Sequence, residues 1–505
     1  MSNNNKEFTR KFTEQELIRR EKYKKLVEEK QDPFIVAKYE RNIDITEVKK
    51  QFSSLTKEEL ESKSEIKLKL TGRIRQFREA GKKAIFANIQ DQDDSIQIYV
   101  REDELGSDLF SSFSDLDLGD IIGVTGVAMK TNHGELTIRV KSYQLLTKSL
   151  RPLPDNYYGL NDIEEKYRRR YVDLIINSET KKIFIARSKI IRIIQKILDD
   201  KGMYEVETPI LQSVHGGAIA KPFKSYYNAL ERDFYLRIAT ELPLKRLIVG
   251  GFNGVYEIGR LFRNEGMDTR HNPEFTTIEV YVAYEDMFYH MDLTESIFKQ
   301  IALEINGTTQ LSYGGHELDL SKPFKRWHMV DAIKEICGVD FWQEMTYEQA
   351  FELAKQHNVD VEKHHYGVGH IINSFFEKYV EDKIIEPTFI TGHPVEVSPL
   401  AKRNAKDSRF TDRFELFIVG REYANAYSEL NNPIDQYDRF LEQLKEADSG
   451  NDEAQEMDID FVEALEYGLP PTAGLGIGID RTVMLITGQE SIKDVILFPQ
   501  MKPRG

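Results

Sequence analysis

Apolar and polar positions follow two different periods along this chain, and the change of period divides it. Residues 1–64 are highly charged. Ser2–Asn5 read as disordered. From about Thr13, Leu17 and Leu26 with Lys22, Lys24 and Lys25 predict an amphipathic helix with a basic face, ended by Asp32-Pro33. Residues 65–148 switch to strict alternation. Ile66-Lys67-Leu68-Lys69-Leu70, Ile96-Gln97-Ile98-Tyr99-Val100 and Ile121–Val127 are punctuated by Gly72, Gly81, Gly106, Gly119 and Gly134. Short strands at that spacing predict a small antiparallel barrel or sandwich. A proline-punctuated linker, residues 149–180, starts at Leu150-Arg151-Pro152-Leu153-Pro154. Residues 181–505 mix both periods and predict an α+β domain. Its expected elements are a helix over Ile183–Leu198, a strand from Gly202 to Pro209, and a helix over Glu241–Val249. Two alternating strands, Val255–Gly259 and Thr277–Tyr281, then enclose a polar loop. Residues 285–390 read as a helical insertion between strands. No internal repeat is visible.

Composition narrows the class. The 505 residues are 40% hydrophobic and 30% charged, enough apolar mass for more than one core. No apolar run is long enough to cross a bilayer; Ile190–Leu198 is broken by Arg192, Gln195 and Lys196. Met1–Lys6 lacks the core of a signal peptide. The one cysteine, Cys337, excludes a disulfide scaffold and a cysteine-based metal site, and suits a reducing cytoplasm. The formal net charge of -15 argues against a purely electrostatic nucleic-acid binder, while leaving room for local basic surfaces.

Three stretches carry candidate chemistry. The loop Arg263–Phe275 offers Arg263, Glu265, Arg270, His271 and Phe275, two guanidiniums and an aromatic face that suit phosphates and a purine. Taken alone it reads equally well as a solvated hairpin. In Gly474-Leu475-Gly476-Ile477-Gly478-Ile479-Asp480-Arg481 the glycines alternate with Leu and Ile, so one strand face lacks side chains and lies open to a flat ligand. This is neither a dinucleotide fingerprint nor a phosphate-binding P-loop. Arg481 stands where the strand passes into a helix over Thr482–Ile486. The basic segment Gly72–Phe86 includes Arg73, Arg75 and Arg78, and suits single-stranded nucleic acid; the competing reading of Phe86 is a barrel-core residue. Arg168-Arg169-Arg170 suits a nucleic-acid backbone or a brace between domains. His357, His364 and His365 read as surface residues without a ligand set.

Together, Gly202–Pro209, Phe262–Phe275 and Gly474–Arg481 resemble the three signature motifs of class II aminoacyl-tRNA synthetases. The barrel before them resembles the OB-fold anticodon-binding domain of subclass IIb, which holds the aspartyl, asparaginyl and lysyl enzymes. Tyr167–Leu174, Ala239–Arg246, Ser398–Lys402 and Arg413–Pro433 resemble the lysyl family. The resemblance implies an OB-fold barrel followed by a catalytic domain built on an antiparallel sheet flanked by helices. It implies activation of lysine by ATP, then transfer to tRNA(Lys), with Mg2+, in a cytoplasmic homodimer.

It also implies roles. Arg263 binds the α-phosphate and Arg481 the γ-phosphate of ATP. Phe275 stacks on adenine, with Glu265, His271 and Asn272 beside it. Glu415 and Glu422 hold Mg2+. Glu241 and the backbone near Gly216 meet the α-amino group of lysine; Glu429, Tyr281 and Asn425, with Glu279 nearby, meet its side chain. Arg78, Phe86, Gln97 and Glu135 read the anticodon. The alternatives are an aspartyl or asparaginyl enzyme, an OB-fold RNA-binding protein with an inert catalytic domain, and an enzyme that lysylates a protein.

Overall fold

The computed structural model describes residues 11–154, 160, 162–218, 220–362, 364–448 and 457–504. Ser2–Asn5, expected to be disordered, lie outside the described residues. The chain forms two compact units, residues 1–159 and 160–505.

In the first unit, Leu68–Glu79, Ala84–Gln90, Ser95–Arg101, Ile121–Lys130 and Leu136–Thr147 close a five-stranded barrel. Its core is made by the inward positions Leu68, Leu70, Ile74, Ile89, Ile98 and Val124. Helices Ile45–Phe52 and Lys57–Ser62 add Ile45, Val48, Phe52 and Leu60 to that same core. A bulge between Ile74 and Gln76 displaces the first strand's alternation. Phe77 thereby packs on the core, and Gln76 and Arg78 are exposed.

The first helix runs Glu14–Glu28 behind a capping box of Thr13 and Glu16. It is not amphipathic as expected. Its buried residues are Glu16 and Arg19, while Leu17 and Val27 are exposed. Polar contacts hold it down. Arg19 donates to the carbonyls of Leu118 and Ser149 at 3.0 and 2.9 Å, Arg151 pairs with Glu16 at 2.6 Å, and Lys22 pairs with Asp117 at 3.0 Å. Part of the expected basic face is therefore spent on docking the helix.

In the second unit an eight-stranded sheet has the order Lys325–His328, Thr388–Thr391, Arg413–Ile418, Arg421–Ser428, Thr472–Gly478, Glu274–Ala283, Gly254–Phe262, Tyr204–Glu205. The inner pairs are antiparallel, and the two edge pairs are parallel. The stretch read as an insertion around 285–390 is not separate from this sheet. It supplies Lys325–His328 and Thr388–Thr391, besides helices such as Met287–Asn306 and Val368–Tyr379. The expected strand ending at Pro209 is reduced to Tyr204–Glu205.

Period-two alternation sorts the sheet's side chains. Ile278, Val280, Leu475, Ile477, Ala424 and Ala426 join one core with helices Ser178–Asp200, Met287–Asn306 and Ile479–Thr487. Glu279, Tyr281, Gly474, Gly476, Asn425 and Tyr427 line a cavity. Two arginines of the triplet brace the C-terminal segment of their own unit. Arg170 is buried against Asp173 at 2.9 Å and the Lys493 carbonyl at 2.7 Å, and Arg168 donates to the Lys502 carbonyl. Among the described residues no helix is long and apolar enough to cross a membrane.

Candidate active site

Strands Gly254–Phe262 and Glu274–Ala283 pair in continuous register from Gly254–Val282 to Phe262–Glu274. The loop between them is anchored at its base by the Arg263 N–H, which donates to the Pro273 carbonyl at 2.9 Å. Its tip is tied by Asp268, which accepts from the N–H groups of Arg270 and His271 at 2.5 and 2.6 Å and meets His271 Nδ1 at 2.9 Å. Burial pushes the Asp268 carboxyl up, but the His271 ring and these N–H donors together outweigh it and hold the carboxyl down at about 2. The Thr269 carbonyl accepts from the Ile492 N–H at 2.9 Å, so the tip is not wholly free. Asn272 is buried and donates to the Glu274 carbonyl and to Gln500 at 2.6 and 2.8 Å.

The loop, its strands and the glycine strand enclose a cavity of about 410 Å3. Arg263, Glu265, His271, Asn272 and Phe275 line it from the hairpin; Arg481 lines it from the other side. Arg263 lies 5.1 Å over the Phe275 ring. Burial pushes its guanidinium down, while Glu265, Glu422 and Glu279 favour its charge. Gly476 faces the cavity with open space where a side chain would stand, the nearest atoms to a Cβ being 3.8 and 3.9 Å away. Gly474 is glycine for another reason: a methyl there would overlap Glu429 Oε1 and lie 2.6 Å from the Tyr281 ring.

Glu415 and Glu422 come together across paired strands. Their positions follow from a bulge in which Leu416 pairs with Ala424 and Phe417 with Glu422, leaving Tyr423 as the extra residue. It turns Glu422 to the face of Asn425 and Tyr427, against simple alternation. Arg413 pairs with Glu415 at 2.5 Å and His393 Nε2 lies 3.3 Å from it. Burial works against ionisation of Glu415, but the Arg413 charge wins and holds its carboxyl below the usual range. Burial and the neighbouring Glu415 charge push the Glu422 carboxyl up, opposed by Arg481. Arg481 donates to the Glu422 carbonyl at 2.6 Å. Two close carboxylates with one disfavoured as an anion fit a divalent cation, whose charge would relieve the repulsion.

The far end of the cavity is acidic. Burial, then the Glu241 charge, pushes the Glu279 carboxyl up to about 7, although the Thr240 N–H donates to it at 3.1 Å. Glu241 accepts from the Tyr427 hydroxyl at 2.6 Å and pairs with Lys245 at 2.5 Å. Glu429 does not line the cavity wall. It is fully buried against Gly474 and paired with Lys245 through Oε2, and apart from that ion pair neither oxygen has a hydrogen-bond partner among the described residues. Gly216 is likewise off the wall, where Gly217 and Ala218 stand instead. Asn425 lines it and accepts from Arg413 Nε at 3.0 Å.

Sequence reasoning assigned no role to Arg413, Lys245 or Asp480. Asp480 accepts from the Thr276 N–H at 2.7 Å and pairs with Arg187 at 2.5 Å, fixing the glycine strand's exit to the hairpin. The signal for Lys245 was its position four residues after Glu241 on a helix. For Asp480, whose partners Arg187 and Thr276 come from a distant helix and strand, and for the bond of Arg413 to Asn425 on the next strand, there was none. Glu362, His364 and His365 bring ligand atoms within 4.8 Å of one another, so these histidines do have a carboxylate beside them and are half-buried rather than surface residues. This trio could hold a metal ion.

In the barrel unit, Phe86 is not a core residue. It lies on the face opposite Ile85, Ala87 and Ile89, stacks on Tyr99 at 4.5 Å, and carries Arg78 at 5.3 Å. Gln97 donates to Glu135 at 3.0 Å and accepts from Thr137 at 2.9 Å.

The family described as tRNA synthetases class II (D, K and N) matches residues 162–502, and the family described as OB-fold nucleic acid binding domain matches residues 68–146. The chain belongs to the class II aminoacyl-tRNA synthetases of that group. It is 64% identical to the lysine–tRNA ligase of Mycoplasma capricolum, over 98% of this chain and 99% of that one. It is 58% identical to that of Bacillus subtilis, over 96% and 97%, and 55% identical to that of Listeria monocytogenes, over the whole of both. Within the class, its family is that of the lysine–tRNA ligases.

Proposed function

We propose that this chain joins lysine to tRNA(Lys) in two steps within the cavity between hairpin and glycine strand. In the first, a lysine carboxylate oxygen forms a bond to the α-phosphorus of ATP, and the bond from that phosphorus to pyrophosphate breaks. The nucleophile is already an anion, so no general base is required; the protein supplies position and positive charge. Arg263 stabilises the reacting phosphate, and Arg481 holds the γ-phosphate end. Adenine stacks on Phe275, with Glu265, His271 and Asn272 around it. Glu415 and Glu422 would hold Mg2+, which neutralises phosphate oxygens when bound. In the second step the terminal ribose hydroxyl of tRNA attacks the lysyl carbonyl and AMP leaves.

The observation that carries the reading is the acidic end of the cavity. Glu241 and Glu279 line it with Tyr281 and Asn425, and Glu429 is buried just beyond the wall, against Gly474. A substrate with two ammonium groups matches such a site; aspartate would need a cation in their place. Phe86, Arg78, Gln97 and Glu135 suit an unstacked anticodon base, by stacking and base-edge hydrogen bonds. A cytoplasmic homodimer fits as well. Tyr204, Ile210, Leu211 and Phe252, near the first motif, expose apolar surface suited to a second copy. The test is ATP–pyrophosphate exchange across a panel of amino acids. Exchange with lysine is expected; exchange with aspartate or asparagine and none with lysine would refute the assignment.

A further inference from the structure

Lys245 is fully buried, and its ammonium stands between Glu241 and Glu429. Helix Glu241–Val249 carries Glu241 and Lys245 one turn apart, while Glu429 comes from beyond strand Arg421–Ser428. The Tyr427 and Phe461 rings lie 5.5 and 5.7 Å from Nζ. The protein has thus placed an ammonium of its own inside a pocket whose substrate is an ammonium.

The division of Glu429 is informative. Oε2 pairs with Lys245. Oε1 lies on the side of Gly474 and Tyr281, both cavity-lining, and apart from the Lys245 ion pair neither oxygen has a hydrogen-bond partner among the described residues. A buried carboxylate oxygen left unsatisfied is costly unless a ligand completes it. The charge count agrees. Three carboxyl groups, Glu241, Glu279 and Glu429, face one ammonium, Lys245. Lysine brings two ammonium groups.

We infer that Lys245 is a positioning residue for lysine selection: it locks Glu241 to Glu429 and holds the Oε2 side of that carboxyl, leaving the Oε1 side to the substrate's side-chain ammonium. This deepens the proposed function and rests on it. The distance between the sites for the two substrate ammoniums is then set by one buried cross-link. The groups facing Glu429 support this account. Burial, with the Glu241 and Glu279 charges, holds its carboxyl well above the usual range, and Lys245 pulls it down. Tyr281 and Tyr427 also stand close, with hydroxyls that burial and these carboxylates keep neutral. Lys245 itself stays charged: burial opposes its charge, but Glu241 and Glu429 outweigh burial.

The test compares wild type with Lys245→Met, similar in length but neutral, and with Lys245→Gln, in lysine-dependent ATP–pyrophosphate exchange across pH. Without the ammonium, Glu429 takes up a proton more readily. KM for lysine is expected to rise about tenfold or more at neutral pH, a shift of one pKa unit being worth that factor. It should then recover as pH rises, with kcat changed less. Discrimination against norleucine, the isostere lacking the ammonium, should fall. Wild-type KM in both variants overturns the inference. So does a KM raised equally at every pH, the signature of a merely structural loss, or a failure of both variants to fold and bind ATP. If wild type itself shows no lysine-dependent exchange, the underlying function is at fault instead.

Discussion

Gly474 and Gly476 stand two residues apart on one strand and face the same cavity, yet alanine should act differently at each. At Gly474 the added methyl overlaps Glu429 Oε1, which must move. Glu429 is fully buried and paired with Lys245, so displacing it breaks a buried ion pair, which typically costs about 3–5 kcal/mol. The strand's preference for alanine over glycine returns only ~0.5–1 kcal/mol. The thermal midpoint of Gly474→Ala should therefore fall by about 5 °C or more. At Gly476 the methyl meets nothing closer than 3.8 Å. The apo midpoint should stay level or rise slightly. The methyl instead fills space that the proposed function gives to bound ligand. Overpacking of about 1–3 kcal/mol predicts a KM for substrate roughly 5- to 150-fold higher. The assays are thermal denaturation of the apo protein and ATP–pyrophosphate exchange. Equal destabilisation by both variants, or wild-type KM in Gly476→Ala, would refute the assignment of the glycine face.

Arg263→Ala should reduce lysine-dependent exchange by about 10^2-fold or more, as expected for loss of a charge aimed at the reacting phosphate, with the fold retained by circular dichroism. Exchange at the wild-type level would remove Arg263 from its role. Phe86→Ala should lower tRNA charging by an amount equal to one stacked base, about 1–3 kcal/mol, and spare exchange. An equal fall in exchange would count against an anticodon role. Glu279 carries a pH signature. Its carboxyl titrates near 7 when folded, against 4.5 ordinarily, so the folded protein binds the extra proton between those values. Its contribution to apo stability is complete below about 4.5 and lost as pH rises through about 7. The midpoint of wild type relative to Glu279→Gln should decline across that window; a flat difference would show that Glu279 is not held protonated.

The antiparallel hairpin was legible because its flanks alternate and its loop holds Gly266 and Asn272-Pro273. The three glycines at spacing two announced a bare strand face, and the structure adds that Gly474 and Gly476 are bare for different reasons. The first helix misled. Its apolar residues imitate a core face, but the surface beneath offers carbonyls and carboxylates, so Arg19 and Glu16 are buried in place of Leu17. Residues 285–390 misled in another way: four-residue edge strands within helix-rich sequence leave too few positions for a period to show.

By itself the sequence determined the order of units, the alternation that sorts the sheet's two faces, and the residue types of an ATP and ammonium site. These are local properties, and local spacing encodes them. Only the tertiary structure decided which oxygens and guanidiniums meet. A bulge after Ile74 turns Arg78 outward, and a bulge at Tyr423 turns Glu422 toward Glu415; one inserted residue reverses every later side chain, and no periodicity reveals it. Arg413 with Asn425, Asp480 with Arg187, and Lys245 with Glu429 pair residues from separate elements. Their energies depend on burial and on partners brought close by folding, which sequence spacing does not carry.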